Sequence, residues 1–108
     1  MEFYEVAKKD SVPEGTMKAF KIQDKDILVV NYNGSYYAIS SKCTHVVGDL
    51  SKGVLEGNIV KCPRHGSRFD VTTGKNISGP KMGFLKLKTG DEPAYEVKVE
   101  GDSIMVNI

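Results

Sequence analysis

Both cysteines and both histidines of the chain fall in two short clusters, Cys43-Thr44-His45 and Cys62-Pro63-Arg64-His65, separated by the 16 residues 46–61. Each cluster offers one thiolate and one imidazole, and together they make a four-ligand set of the kind that binds a transition metal. For four such side chains to reach one centre, two loops distant in sequence must face each other. That requirement constrains the fold more than any other feature of the sequence. Gly48, Gly53, Gly57 and Gly66 surround the clusters and permit the tight backbone such loops need.

The framework must come from the rest of a 108-residue chain, the size of one domain with one modest core. Residues 3–7, 17–22 and 26–32 carry apolar and β-branched side chains at strand-like spacing, with no sustained helical period. Asn33-Gly34 between ILVVNY and SYYAIS predicts a two-residue hairpin turn, because both residues tolerate positive φ. AYEVKVEGDSIMVNI reads as two alternating strands around Glu100-Gly101-Asp102. Between these, residues 41–83 are richer in Gly, Pro, Cys and His and show strand-like pieces only at 59–62 and 68–71. Helix is expected for at most a turn or two, near 8–12 or 47–51. The expected fold is all-β, one domain over residues 1–108. A loop-rich, ligand-bearing part, about 41–83, is inserted in a β base of 1–40 and 84–108.

Charge and hydropathy exclude several classes of function. Fifteen Lys and Arg against 14 Asp and Glu leave a net charge of +1, with no footprint for nucleic acid. No stretch approaches the roughly 20 apolar residues that span a bilayer, and MEFYEVAKKD has neither the basic nor the apolar region of a signal peptide. A soluble, cytoplasmic monomer is expected. In that setting two cysteines point to metal or redox chemistry rather than to a disulfide.

The stretches CTHVVGDL and VKCPRHGSRFDVTTG closely resemble the two cluster-binding loops of the Rieske family, and SGP at residues 78–80 sits where that family has a third loop containing proline. The resemblance spans nearly the whole chain. It implies a Rieske-like small antiparallel β-sandwich or partial barrel and one 2Fe-2S cluster. Cys43 and Cys62 would ligate the inner iron, and His45 and His65 the outer, more exposed one. Two ferric ions, two sulfides, two thiolates and two neutral imidazoles sum to zero charge, which eases reduction relative to a four-thiolate cluster. Potentials of such centres span about −150 to +300 mV, against about −400 mV for plant-type ferredoxins.

The surroundings of the ligands place the chain within the family. High-potential members carry two further cysteines that form a disulfide; those positions here are Gly48 and Arg64. Of two hydroxyl donors to the cluster sulfurs, Ser67 keeps the first, with a turn bond to its own loop as the competing role, while Phe69 stands where the second would be. The resemblance is therefore to the soluble ferredoxins, with a potential in the lower half of the range. Val47 replaces a glycine frequent in the family. Phe69 is read as packing beneath the cluster, Gly66 and Pro80 as loop residues beside it, and Val46, Val47, Leu50, Pro63, Pro80 and Met82 as an apolar ring. Arg64, Arg68 and Lys81 read as a solvated basic face before an acidic-partner surface.

The implied function is one-electron transfer between a reductase and a terminal oxidoreductase or oxygenase, with those redox proteins as partners. No histidine is spare for a mononuclear iron site, and no dinucleotide fingerprint or nucleophile with a free base appears, so the chain is not expected to be an enzyme. Two alternatives stay open. One is a tightly bound subunit of a larger oxidoreductase, such as the small subunit of a nitrite reductase. The other is a zinc knuckle, although zinc sites usually pair Cys with Cys and His with His.

Overall fold

Aliphatic side chains fill Ile27 to Val30, and in an extended chain successive side chains point to opposite faces. A run of this kind is stable only if both faces are covered and both edges are paired. The computed structural model, which describes residues 2–42, 49–63, 66–78, 81–82, 85–86 and 92–108, meets both conditions. The run lies in β3 (Lys25–Tyr32), between β2 (Met17–Ile22) and β4 (Ser35–Ser40), with Val29 opposite both Lys18 and Ala38. β11 (Ala94–Tyr95) completes this sheet in the order β11-β4-β3-β2.

One face of β3 presents Ile27 and Val29 to a cluster with Val12, Ala38, Ile104 and Val106. Ile104 and Val106 belong to β13 (Ser103–Asn107), which lies between β1 (Phe3–Lys8) and β12 (Val97–Glu100) in a second sheet. The other face presents Leu28 and Val30 to a cluster with Ile39, Leu50, Val60, Cys62, Phe69 and Val71. Val60 and Phe69 belong to a third sheet, ordered β5 (Val54–Glu56), β6 (Ile59–Lys61), β7 (Arg68–Asp70) and β8 (Asn76–Ser78), and Cys62 and Val71 directly follow its strands β6 and β7. β9 (Lys81–Met82) pairs with β10 (Leu85–Lys86), and every strand pairing is antiparallel.

Turn chemistry closes the hairpins as the sequence predicts. Asn33 and Gly34 have φ of 54° and 83°, the left-handed values of a two-residue turn that matches strand twist. Buried Asn31 anchors that turn: its amide donates to the Val12 carbonyl at 3.0 Å and its Oδ1 accepts from the Gly34 N–H at 3.1 Å. Helix is confined, among the described residues, to single 3₁₀ turns at Lys9–Ser11 and Leu50–Lys52.

Two readings of the sequence are refined. The alternating stretch from Ala94 is two strands: Ala94 and Tyr95 pair with Ile39 and Ala38, then beyond Glu96 the strand β12 pairs with β13 in another sheet. Alternation reports which face a side chain takes and carries no information about the partner strand. Within residues 41–83 the structure adds β5, β8 and β9, each two or three residues long and too short to display a period.

Gly53 joins the Leu50–Lys52 turn to the third sheet. Its φ of −87° suits any residue, so conformation does not require glycine there. Close approach does: a Cβ would run into the Lys61 carbonyl and sit 3.2 Å from the Pro63 ring.

Ile27→Ala and Leu28→Ala, one on each face of β3, are each expected to cost about 2–5 kcal/mol in urea unfolding. A loss below about 1 kcal/mol for either would mean that its face is loosely covered. Gly→Ala at a permitted φ ordinarily stabilises slightly by restricting the unfolded chain. Gly53→Ala should instead lower Tm by about 5 °C or more, and an unchanged or raised Tm would refute the backbone collision.

Candidate metal centre

The β6–β7 hairpin sets the second ligand cluster. Its register pairs Val60 with Phe69 and Lys61 with Arg68. One further step is bonded, the Cys62 N–H donating to the Ser67 carbonyl at 2.7 Å, and the Gly66 N–H donates back to the Cys62 carbonyl at 3.1 Å. Residues 63–66 are thus a four-residue tip, which Gly66 closes at φ 78°. Strand alternation turns Lys61 outward and Cys62 inward. The thiol is 1 % exposed, in no disulfide, and packed in the cluster of Leu50, Val60 and Phe69. Ser67, opposite Cys62, and Phe69, opposite Val60, share that inner face and are wholly buried.

A second clasp holds the ends of the segment that carries the first cluster. Lys42 and Asp49 form an antiparallel bridge, and the Leu50 N–H donates to the Ser41 carbonyl at 2.7 Å. Asp49 then caps the following turn, its Oδ1 accepting from the Ser51 N–H at 2.9 Å and the Ser51 hydroxyl at 2.6 Å. The residues flanking 43–48, Lys42 and Asp49, are therefore held side by side. Leu50 plugs that point into the same buried cluster as Cys62, and Gly53 seats it on the base of the 63–66 tip. β8 lies on the other side of β7, with Ser78 opposite Arg68.

Of the residues singled out in the sequence, Cys62, Gly66, Ser67 and Phe69 come together at the end of one hairpin. Cys43, His45, Val46, Val47, Gly48, Arg64, His65 and Pro80 lie outside the described residues. Leu50 is a correction: it is 0 % exposed and forms the floor beneath both loop bases rather than part of a rim, because the clasp at Ser41 draws it into the core. Pro63, by contrast, is exposed at the tip. Gly53 had been read as one of several permissive glycines; its contact with the Lys61 carbonyl is invisible in sequence because it joins residues from different elements.

The donor chemistry fits an iron–sulfur group at this position. The Cys62 sulfur lies on an apolar floor shielded from water, in no disulfide, at the last paired position before the tip, where it could serve as one sulfur ligand of such a group.

Comparison with known proteins agrees. Residues 2–89 match the model of the Rieske [2Fe-2S] domain. The chain is similar to the ferredoxin component of the naphthalene 1,2-dioxygenase/salicylate 5-hydroxylase systems of Ralstonia sp., 36 % identical over 99 residues, covering 92 % of this chain and 88 % of that one. It superposes on the ferredoxin of carbazole 1,9a-dioxygenase from Nocardioides aromaticivorans IC177 with a TM-score of 0.80 at 33 % identity, over 98 % and 97 % of the two chains. A chain from the complex of reduced oxygenase and oxidized ferredoxin in carbazole 1,9a-dioxygenase matches with a TM-score of 0.83 at 28 % identity, over 96 % and 91 %. With a hairpin-borne buried cysteine, an all-antiparallel framework and near-complete coverage of these relatives, the chain belongs to the Rieske [2Fe-2S] family and is an electron carrier with one 2Fe-2S cluster rather than an enzyme.

Proposed function

We propose that Cys43, His45, Cys62 and His65 hold the 2Fe-2S cluster, and that the chain passes single electrons from a reductase to a terminal oxygenase. The observation that carries the ligand assignment is the convergence of two clasps on one buried cluster. The bridge at Lys42 and Asp49 and the bonded pair at Cys62 and Ser67 stand at the ends of two sequence segments, each with one Cys and one His, and Leu50 beside the first shares a buried cluster with Cys62, Val60 and Phe69. The acceptor follows from the relatives, which serve naphthalene and carbazole dioxygenases, and from the ferredoxin–oxygenase complex among the similar structures. The site operates as one domain over residues 1–108, with the ligand-bearing part at about 41–83. No helix of the described residues is long and apolar enough to cross a membrane, and we place the protein in the cytoplasm.

When bound, the cluster supplies one-electron redox chemistry at a centre whose oxidised form carries no net charge. The chain's own residues do the rest. Cys62 would hold the group from the dry side, where Phe69 and Leu50 would keep water away. Ser67, buried opposite Cys62, is placed to direct a hydroxyl at sulfur and so favour the reduced, more negative state. By the family resemblance, the imidazoles of His45 and His65 would ligate the outer iron, through which an electron would enter and leave.

Purified protein should be red-brown, with two irons and two sulfides per chain and a reduced-state EPR signal averaging near g ~1.9, as expected for mixed thiolate and imidazole ligation. A colourless zinc protein would sink the reading. Cys62→Ser should lose the cluster, whereas His65→Cys should keep a 2Fe-2S core at lower potential. Ser67→Ala should lower the potential on the order of 60 mV, a tenfold change in a one-electron equilibrium or about 1.4 kcal/mol. Reduced protein should support turnover by the terminal component of a naphthalene dioxygenase; absence of turnover with an intact cluster would exclude that class of acceptor.

A further inference from the structure

The outer face of the β5-β6-β7-β8 sheet is sorted by charge along the strands. The row nearest the 63–66 tip is Val54, Lys61, Arg68 and Ser78; the row two residues away holds Glu56, Ile59 and Asp70. Two residues of strand separate them by about 7 Å. Lys61 and Arg68 are direct cross-strand partners, an arrangement that sets Cβ atoms roughly 5 Å apart and in which like charges are unfavourable. Nothing nearby neutralises them: among the described residues the ion pairs are Lys8 with Glu5 and Asp102, Lys42 with Asp26, and Lys98 with Glu100. Asp70, the carboxylate on the strand of Arg68, is engaged by the Thr72 N–H at 2.9 Å and the Thr72 hydroxyl at 2.6 Å.

This pair also lies one register step from Cys62 and Ser67. The Lys61 stem runs toward the tip, with its Cε 3.4 Å from where a side chain on Gly66 would begin. Beside it, Val54 on the edge strand is 55 % exposed, an apolar spot next to two uncompensated cations.

Resting on the electron-carrier reading above, we infer that Lys61, Arg68 and Val54 form a docking patch for an acidic surface of a redox partner, beside the loop where electrons leave. An acidic face supplies the counter-charge this pair lacks, and exposed Val54 supplies a contact that excludes water. The repulsion between Lys61 and Arg68 is then relieved only in the complex, which favours association and places the partner against the 63–66 tip. Electron transfer in the encounter is a single step: one electron leaves the reduced protein and reduces the partner's metal by one unit, with no proton or group transferred.

The test uses two redox proteins of opposite charge as probes, acidic oxidised plastocyanin and basic oxidised cytochrome c, mixed with the dithionite-reduced full chain in stopped flow. For the native chain the rate with plastocyanin should fall about tenfold as ionic strength rises from a few mM to 0.5 M, while the rate with cytochrome c should rise. K61E/R68E should invert that order, and K61Q/R68Q should flatten both dependences, with visible circular dichroism confirming an unchanged cluster. A native chain that prefers cytochrome c at low salt overturns the patch without any variant, as does a K61E/R68E protein with intact cluster and native rates. A native chain without a reduced-state EPR signal would instead overturn the electron-carrier reading beneath it.

Discussion

Burial of β3 on both faces is the interaction on which the rest of the structure depends. Leu28 and Val30 on one side and Ile27 and Val29 on the other each anchor a separate hydrophobic cluster, and β2 and β4 satisfy the strand's backbone along both edges. Covering one face requires the β1-β13-β12 sheet, which closes the framework. Covering the other requires the β5-β6-β7-β8 sheet, which bears the site. Burial of each face removes several large side chains from water at about 25 cal/mol per Å², so neither layer is dispensable.

The site inherits its geometry from that second layer. Val60, Phe69 and Cys62 occupy successive inward positions of one hairpin, so packing against Leu28 and Val30 also fixes where the Cys62 thiol points. Leu50 does the same for the first loop, since its burial in the same cluster pins the end of residues 43–48. Gly53 then sets the spacing of the two loop bases by letting backbone meet backbone at Lys61. The placement of Cys62 and of the ends of the 43–48 segment thus relies on core side chains, and on one glycine retained for space rather than for φ.

The two faces of the hairpin divide the labour of an electron carrier. Its inner face is dry and apolar and buries the Cys62 thiol. Its outer face carries Lys61 and Arg68, unpaired within the described residues, within one register step of that thiol. Alternation along two short strands is enough to set the proposed ligand and the proposed docking patch on opposite faces.

The sequence by itself determined the local features: the strands at 17–22 and 26–32, the Asn33-Gly34 turn, the near absence of helix, and the pairing of one Cys with one His in each of two segments. These are set by side-chain period, by tolerance of positive φ and by donor chemistry, all of which act within a few residues. The tertiary structure decided what depends on meetings between distant residues. Beyond Glu96 the chain changes sheets, Leu50 becomes floor rather than rim, Gly53 is required by the Lys61 carbonyl, and Lys61 faces Arg68 with no ion pair to either among the described residues. Two- and three-residue strands such as β5 and β8 carry too little pattern to be read alone, because their pairing energy comes from the neighbour and not from their own sequence.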